Sequence, residues 1–271
     1  MQLVFRLFLF FVVGYGILVT AAFIWQRKMI YFPDRQKPME SQIHAVGLDF
    51  WPNNGDAYRG FIASEPPAQS KGTVIVFHGN AGAAWHRNYY VHALVPLGFN
   101  VVLAEYPGYG GRDGGPSENN FINDARITIR LVLEAHGGPL YLWGESLGCG
   151  VAAAIAADPP VQVEGVVLVT PWDSLTGLAQ SLYWYFPVGW LLRDTFDNVK
   201  NLRSFKKPVA VAIAAFDEII PTKNSLRLYE SLNVPKRMWR FESAGHNSWP
   251  ADPTEKWWRE VMLFISSSET Q

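Results

Sequence analysis

The hydrophobic pattern divides the chain into an apolar N-terminal segment and a longer part in which short apolar runs alternate with amphipathic stretches. Between Leu7 and Trp25 the segment LFLFFVVGYGILVTAAFIW carries no charged side chain, and Arg6 and Arg27 flank it. At about 1.5 Å per helical residue, this segment approaches the thickness of the hydrocarbon core of a bilayer. The pattern therefore predicts an N-terminal membrane anchor, which we assign to residues 1–28.

A cleaved signal peptide is the alternative, because Val19-Thr20-Ala21 resembles a small-residue cleavage site. The apolar run is long for a signal peptide and continues to Trp25, a side chain suited to the membrane interface. Arg6 precedes the span, and four basic residues follow it: Arg27, Lys28, Arg35 and Lys37. The positive-inside rule therefore favours a cytoplasmic catalytic domain, although a folded domain can be translocated despite its charges.

Beyond the anchor, the pattern predicts β-strands that alternate with α-helices. The predicted strands cover residues 43–51, 57–64, 73–79, 100–106, 140–146, 163–171, 209–217 and 236–245. The predicted helices include residues 86–97, 119–135 and 254–265. Hydrophobic strands alternating with helices indicate an α/β domain, residues 29–271, with a mostly parallel central sheet and helices on both faces.

The composition and charge of the chain limit its partners and its chemistry. Hydrophobic residues make up 49% of the chain and charged residues 17%, which is ample material for a core. The net charge of -1 and the lack of a basic run argue against nucleic acid as a partner. Cys149 is the only cysteine, so an internal disulfide and a thiolate metal site cannot form. We expect no metal and no organic cofactor, and the oligomeric state stays open.

The stretch LYLWGESLGCGVAAAIAA, residues 140–157, places one serine between two glycines where a predicted strand turns into an Ala-rich helix. In the pattern G-x-S-x-G the nucleophile occupies a sharp turn that exposes its hydroxyl at the edge of the sheet. Gly144 and Gly148 leave room where the strand and helix backbones crowd together. An ordinary glycine-rich turn can also contain serine, but the position between strand and helix favours Ser146 as a nucleophile.

A serine hydroxyl needs a general base, and the base needs an orienting carboxylate. For a nucleophile on such a turn, these partners follow in the chain order Ser, Asp, His. Asp217 ends a predicted strand, and His246 follows the last strand in SAGHNSW. A turn aspartate and a loop histidine are the ordinary alternatives, but the order and placement together predict a triad of Ser146, Asp217 and His246.

Asp173 competes with Asp217 for the role of the acid, because it also follows a predicted strand, in VVLVTPW. Asp217 lies on the more usual strand, so Asp173 is the minority interpretation and its role stays open. Other histidines precede the nucleophile on an early strand or on helices: His44, His86, His92 and His136. Cys149 lies about one helical turn beyond Ser146 without an assigned base, so we do not expect it to be the nucleophile.

Two backbone N–H groups are expected to form the oxyanion hole, which stabilises the negative charge that develops on the substrate oxygen. One is the N–H after the nucleophile, which belongs to Leu147, and the other comes from the earlier loop in VFHGNAG. The second donor is Asn80 or, alternatively, Ala81. His78 in the same loop is expected to brace the backbone and not to act as the base.

The motifs HGNAG, PGYGGRDGGPSE, LWGESLG, FDEIIP and AGHN, in this order, resemble those of the α/β-hydrolase superfamily. More narrowly, the chain is similar to the Bem46-like branch, which includes the membrane-associated ABHD13-type and ABHD17-type hydrolases and in which an anchor precedes a segment like MIYFPD. The resemblance implies an α/β-hydrolase fold with Ser146 as nucleophile, Asp217 as acid and His246 as base. The chain departs from the family at Ala214 or Ala215, where glycine is frequent, and at residues 170–174, where S-P-[FY]-T-S is frequent.

The implied activity is a membrane-anchored serine hydrolase that cleaves carboxylic esters or thioesters through an acyl-enzyme, without a cofactor. A serine peptidase is the first alternative, and a non-catalytic hydrolase-fold scaffold at the membrane is the second. Because the anchor holds the domain close to a bilayer, lipids and acylated proteins are attractive substrates.

An aromatic-rich insertion, residues 174–202, is predicted between two of the later strands. Its centre, AQSLYWYFPVGWLL, carries a high density of Tyr, Trp and Phe. Core packing by short helices is the simpler interpretation. The functional interpretation is an apolar wall for an acyl chain or a surface that lies against the bilayer.

Overall fold

The computed structural model describes residues 1–55 and 57–267. Its strands are β1 (Phe32–Pro33), β2 (Leu48–Trp51), β3 (Gly60–Ala63), β4 (Thr73–Phe77), β5 (Ala81–Gly82), β6 (Asn100–Ala104), β7 (Leu140–Glu145), β8 (Gly165–Val169), β9 (Val209–Ala214) and β10 (Lys236–Phe241). The end of the predicted hydrolase domain, residues 268–271, lies outside the described residues.

The helices alternate with these strands, as the hydrophobic pattern predicts. They are α1 (Gln2–Ile30), α2 (Glu40–Ala45), α3 (Tyr89–Leu94), α4 (Glu118–His136), α5 (Leu147–Ala157), α6 (Leu175–Leu182), α7 (Val188–Leu191), α8 (Asn198–Leu202), α9 (Thr222–Ser231) and α10 (Lys256–Ser266). Two short 3₁₀ segments, Ala84–Arg87 and Val95–Leu97, flank α3.

The central sheet has the strand order β10-β9-β8-β7-β4-β6-β3-β2. The strands from β10 to β6 are parallel, and β3 and β2 extend the sheet in antiparallel pairing. Alternate residues of each strand point to opposite faces: Ile75 and Phe77 pack with α4 and α5, whereas Val74 and Val76 pack with α3 and α10. Because both faces are covered, the inner strands β4, β6, β7, β8 and β9 are buried at every position. The predicted mostly parallel α/β sheet is confirmed.

The strand predicted at residues 43–51 is wrong at its N-terminal end. Residues 43–45 form the end of helix α2, not the start of a strand, and the strand begins only at Leu48. A short apolar run does not distinguish helix from strand by its periodicity alone. In the loop after HGN, Ala81–Gly82 pairs in parallel with Phe32–Pro33 as a separate two-stranded sheet.

Helix α1 is long and apolar enough to cross a membrane, with a mean hydropathy of 2.5 in its most apolar window. No residue of this apolar stretch is buried against the rest of the described chain. The predicted boundary between residues 28 and 29 falls within this helix. Its C-terminal part contacts the insertion, because Arg27 pairs with Asp194 and Gln26 bonds to the backbone at Leu191 and Arg193.

The insertion forms helices α6, α7 and α8 and holds few of its aromatic side chains in the core. Trp184 is 78% exposed and Trp190 is 92% exposed, and Tyr183 and Tyr185 are also exposed. Core packing therefore does not account for these side chains, and an apolar wall or a membrane-facing surface remains.

Candidate active site

Ser146 lies at the junction of β7 and α5 in a strained backbone conformation. Its φ of 50° and ψ of -113° lie outside the regions that non-glycine residues favour. The turn is held in place because the Ser146 N–H donates to the carbonyl of Val169 at 2.9 Å. A Cβ atom at Gly148 would overlap the carbonyl of Phe77, and one at Gly144 would clash with the backbone of Cys149. Only glycine therefore fits at positions 144 and 148, two residues before and two residues after this serine.

The three residues of the predicted triad meet at the C-terminal edge of the sheet. Nε2 of His246 lies 2.9 Å from Oγ of Ser146, and Nδ1 of His246 lies 2.8 Å from Oδ2 of Asp217. An ionised carboxylate only accepts hydrogen bonds, so Nδ1 carries the proton and Nε2 is free to accept from the serine hydroxyl. The remaining Asp217 oxygen accepts from the N–H groups of Ile219 and Ile220. These bonds orient the imidazole toward Ser146.

Asp173 is turned away from this chain of hydrogen bonds. Its Oδ1 accepts from the Asn224 side chain at 2.8 Å, and its Oδ2 accepts from Nε of Arg227 at 2.8 Å. Both donors lie on α9, so Asp173 connects the end of β8 to that helix. The structure brings Asp217, and not Asp173, to His246.

The loop after β4 lies beside the serine and is held by several hydrogen bonds. Leu147 is the first residue of α5, so its N–H lies among those that have no carbonyl partner within the helix. The Asn80 side chain donates to the carbonyl of Ile30 at 2.9 Å, and the Asn80 carbonyl accepts from the N–H of Phe32 and the hydroxyl of Tyr109. The predicted donors Leu147, Asn80 and Ala81 therefore border the same space as Ser146.

His78 is buried next to this loop and pairs with a carboxylate. Its Nε2 lies 3.0 Å from Oε1 of Glu105, and its backbone carbonyl accepts from the hydroxyl of Tyr106. The ring is 1% exposed, and its other nitrogen, Nδ1, lies 2.8 Å from the carbonyl of Gly79. This arrangement agrees with a bracing role.

Glu145, the residue before the serine, belongs to a buried polar cluster that the sequence analysis missed. Its carboxylate accepts from Nε of Arg87 at 3.2 Å and from the hydroxyls of Tyr89 and Tyr90 at 2.7 and 3.0 Å. Burial alone would raise the pKa of Glu145, but the Arg87 charge and the two hydroxyls together hold it below the ordinary value. A glutamate at the end of a buried strand was the available signal, because such a charge needs a partner.

The lowered pKa of Glu145 predicts how the stability of the fold depends on pH. The ionised carboxylate stabilises the fold above its unfolded pKa of about 4.3, and this contribution is lost as the pH falls through the lower folded pKa. We expect Glu145→Gln to lower the free energy of unfolding at pH 7 by about 1–3 kcal/mol. Urea denaturation in detergent should show that the difference from wild type shrinks below pH 4. The exposed Glu242→Gln is the matched control, and an equal effect there would contradict the prediction.

Cys149 has the properties of a structural thiol. It is fully buried, and its Sγ lies 3.3 Å from the carbonyl of Gly144 and 3.2 Å from that of Val169. Burial raises the pKa of this thiol well above its ordinary value, so little thiolate forms. The geometry agrees with the expectation that Cys149 is not the nucleophile.

A cavity of about 880 Å³ opens at the triad. Ser146 and His246 lie at one end of it, together with Leu147, Asn80 and Ala81. The rest of its wall is almost entirely apolar, and most of it is formed by α1 and by the insertion. The site therefore places a serine hydroxyl, hydrogen-bonded to a histidine, at the end of a space that fits a hydrophobic molecule.

Known proteins resemble this chain in sequence. The family model described as alpha/beta hydrolase fold matches residues 72–205. An uncharacterized protein of Mycobacterium tuberculosis is 33% identical over 233 residues, which cover 83% of this chain and 82% of the relative. The lysophosphatidylserine lipase ABHD12 of Macaca fascicularis is 26% identical over 263 residues, which cover 83% of this chain and 66% of that protein.

Solved structures with low sequence identity match the fold. The esterase Pf2001 of Pyrococcus furiosus superposes with a TM-score of 0.63 at 17% identity, over 87% of this chain and 97% of that one. The monoacylglycerol lipase of Paleococcus ferrophilus gives a TM-score of 0.57 at 23% identity, over 74% and 96% of the two chains. The predicted fold is confirmed, whereas the Bem46-like branch stays a prediction. The chain belongs to the α/β-hydrolase superfamily.

Proposed function

We propose that this hydrolase is a membrane-anchored serine hydrolase that cleaves acyl esters or thioesters. The observation that carries the proposal is the continuous chain of hydrogen bonds from Asp217 through His246 to Ser146, at 2.8 and 2.9 Å, at the end of an apolar cavity. This is the arrangement in which a serine hydroxyl becomes a nucleophile. The activity recorded for the relative ABHD12 supports a lipid ester as the substrate.

The reaction would proceed by acyl transfer. Oγ of Ser146 attacks the carbonyl carbon of the ester, and its proton passes to Nε2 of His246. Asp217 stabilises the imidazolium, while the N–H of Leu147 and that of Asn80 or Ala81 stabilise the oxyanion. Collapse of the tetrahedral intermediate breaks the bond to the alcohol or thiol, which takes the proton from His246. Water then attacks the acyl-enzyme by the same route and releases the fatty acid.

The membrane anchor is supported by the composition and exposure of α1. The side chains of Phe10 and Phe11 are 74% and 72% exposed, although they are apolar. Water would solvate such a helix poorly, whereas a bilayer buries it. Arg27 and Lys28 at its C-terminal end suit the polar interface, where the domain begins.

The test uses the full-length chain in membranes. We expect membranes washed with alkaline carbonate to retain the protein, and detergent extracts of them to hydrolyse p-nitrophenyl esters or acyl thioesters of medium to long chain. Release of the protein by carbonate would contradict the anchor. Retention without any ester or thioester hydrolysis would contradict the hydrolase, and hydrolysis of peptide amides alone would favour a peptidase. Membranes from cells without the protein provide the background.

A further inference from the structure

One wall of the cavity at Ser146 is the membrane-type helix itself. From α1, the side chains of Leu18, Ala21, Ala22, Trp25 and Met29 line the cavity. The small side chains of Ala21 and Ala22 leave space between the helix and the opposite wall. An ordinary tether would not contribute a surface to the catalytic cavity.

The opposite wall is the aromatic insertion, which lies along α1. It contributes Leu178, Leu182, Tyr185, Phe186 and Leu191 to the cavity. The two walls converge on the triad at one end, where Ile220 and His246 also line the space. An acyl chain whose carbonyl carbon reaches Ser146 would therefore run between α1 and the insertion.

Hydrogen bonds hold the two walls together at both ends. At the C-terminal end of α1, Arg27 forms two bonds to the buried carboxylate of Asp194, at 2.8 and 3.0 Å. Farther along, the hydroxyl of Tyr15 donates to the carbonyl of Tyr185 at 2.7 Å, and its ring stacks on Phe186. These contacts place the insertion beside the helix over several turns.

The contact at Tyr15 indicates how deep the insertion lies in a membrane that α1 crosses. Tyr15 lies in the middle of the uncharged segment from Leu7 to Trp25 and about 22 Å along the helix from Ile30. When α1 crosses a bilayer, a backbone group bonded to Tyr15 lies within the membrane. The outward-facing Trp184 and Trp190 of the insertion are apolar and exposed, as a lipid-facing surface requires.

We propose that α1 and the insertion form an acyl-chain channel that opens into the bilayer, so that a membrane lipid ester presents its carbonyl to Ser146 while its chain stays in an apolar environment. This inference rests on the proposed hydrolase function and names its substrate class as long-chain lipid esters. The chain enters between the two apolar walls, and the headgroup stays on the polar side of the site near Asn80 and Asn247.

Filling the channel from α1 tests the inference. Ala22→Trp places a large side chain in the gap, so the kcat/KM for p-nitrophenyl palmitate should fall by about tenfold or more. The kcat/KM for p-nitrophenyl acetate should change little, because the acetyl group occupies only the end of the cavity at Ser146. Ile24→Trp is the matched control, since Ile24 is 60% exposed and does not line this cavity. It should leave both rates near those of wild type.

The outcomes separate the two proposals. A wild-type protein that hydrolyses neither ester contradicts the hydrolase function. Equal losses on both esters in an Ala22→Trp protein that still reacts with a fluorophosphonate contradict the channel, as does an equal effect of Ile24→Trp.

If Ala22→Trp does not fold, photo-crosslinking of the wild type tests the channel instead. A long-chain alkyl fluorophosphonate with a diazirine at its far end should bond to Ser146 and crosslink to α1 or to residues 175–192. Crosslinks confined to other elements would overturn the proposal.

Discussion

Replacement of Ser146 by alanine is expected to abolish ester hydrolysis and to prevent labelling by a fluorophosphonate. In the proposed mechanism His246 activates Oγ of Ser146, which lies 2.9 Å from its Nε2, and alanine offers no nucleophile in its place. Loss of the serine in a triad typically lowers kcat by about 10⁶-fold. The measurement is in-gel labelling of the full-length protein in detergent, followed by the rate of p-nitrophenyl ester hydrolysis.

Cys149→Ala is the matched control for this experiment. Its buried thiol lies one helical turn away and does not face the cavity, so labelling and hydrolysis should persist. Labelling that survives in Ser146→Ala but disappears in Cys149→Ala would assign the reaction to the cysteine and overturn the proposed site.

Asp217→Asn should lower kcat by about 10⁴-fold while the fold persists. An asparagine can donate its amide N–H to Nδ1 of His246, which stabilises the tautomer whose Nε2 carries the proton. That nitrogen can no longer accept the proton of Ser146, so the nucleophile is not activated. The loss should appear in kcat at pH 7–8 with p-nitrophenyl esters.

Asp173→Asn distinguishes the two candidate acids. Among the described residues its carboxylate bonds to Asn224 and Arg227 of α9 and not to His246, so its replacement should reduce the stability of that contact and spare kcat. A loss of kcat as large in Asp173→Asn as in Asp217→Asn would contradict the proposed triad.

The sequence was sufficient to predict the sheet and the meeting of Ser146, Asp217 and His246, because each prediction depends on local patterns and general topology. Apolar runs define buried strands, and the C-terminal ends of parallel strands meet at one edge. The helix predicted at residues 119–135 was placed within one residue at each end, since its amphipathic period is long and regular.

Features that depend on contacts between distant segments could not be predicted in the same way. Arg27 and Asp194 are 167 residues apart, and no pattern along the chain connects them. The choice between Asp173 and Asp217 required the positions of Asn224 and Arg227, because both acids follow strands. The exposure of Trp190 could not be predicted from the sequence either, since aromatic residues in a short helix fit a core as well as a lipid-facing surface.

The hydrogen bonds at the C-terminal end of α1 make the rest of the chain depend on this helix. A cut between residues 28 and 29 would remove Arg27 and leave the carboxylate of Asp194, which is 2% exposed, without its guanidinium partner. The same cut would turn Ile30 into part of a frayed N-terminus, although its carbonyl accepts the side chain of Asn80 beside Ser146. Cleavage between residues 28 and 29 would therefore disturb the loop beside Ser146 and leave a buried carboxylate without its partner.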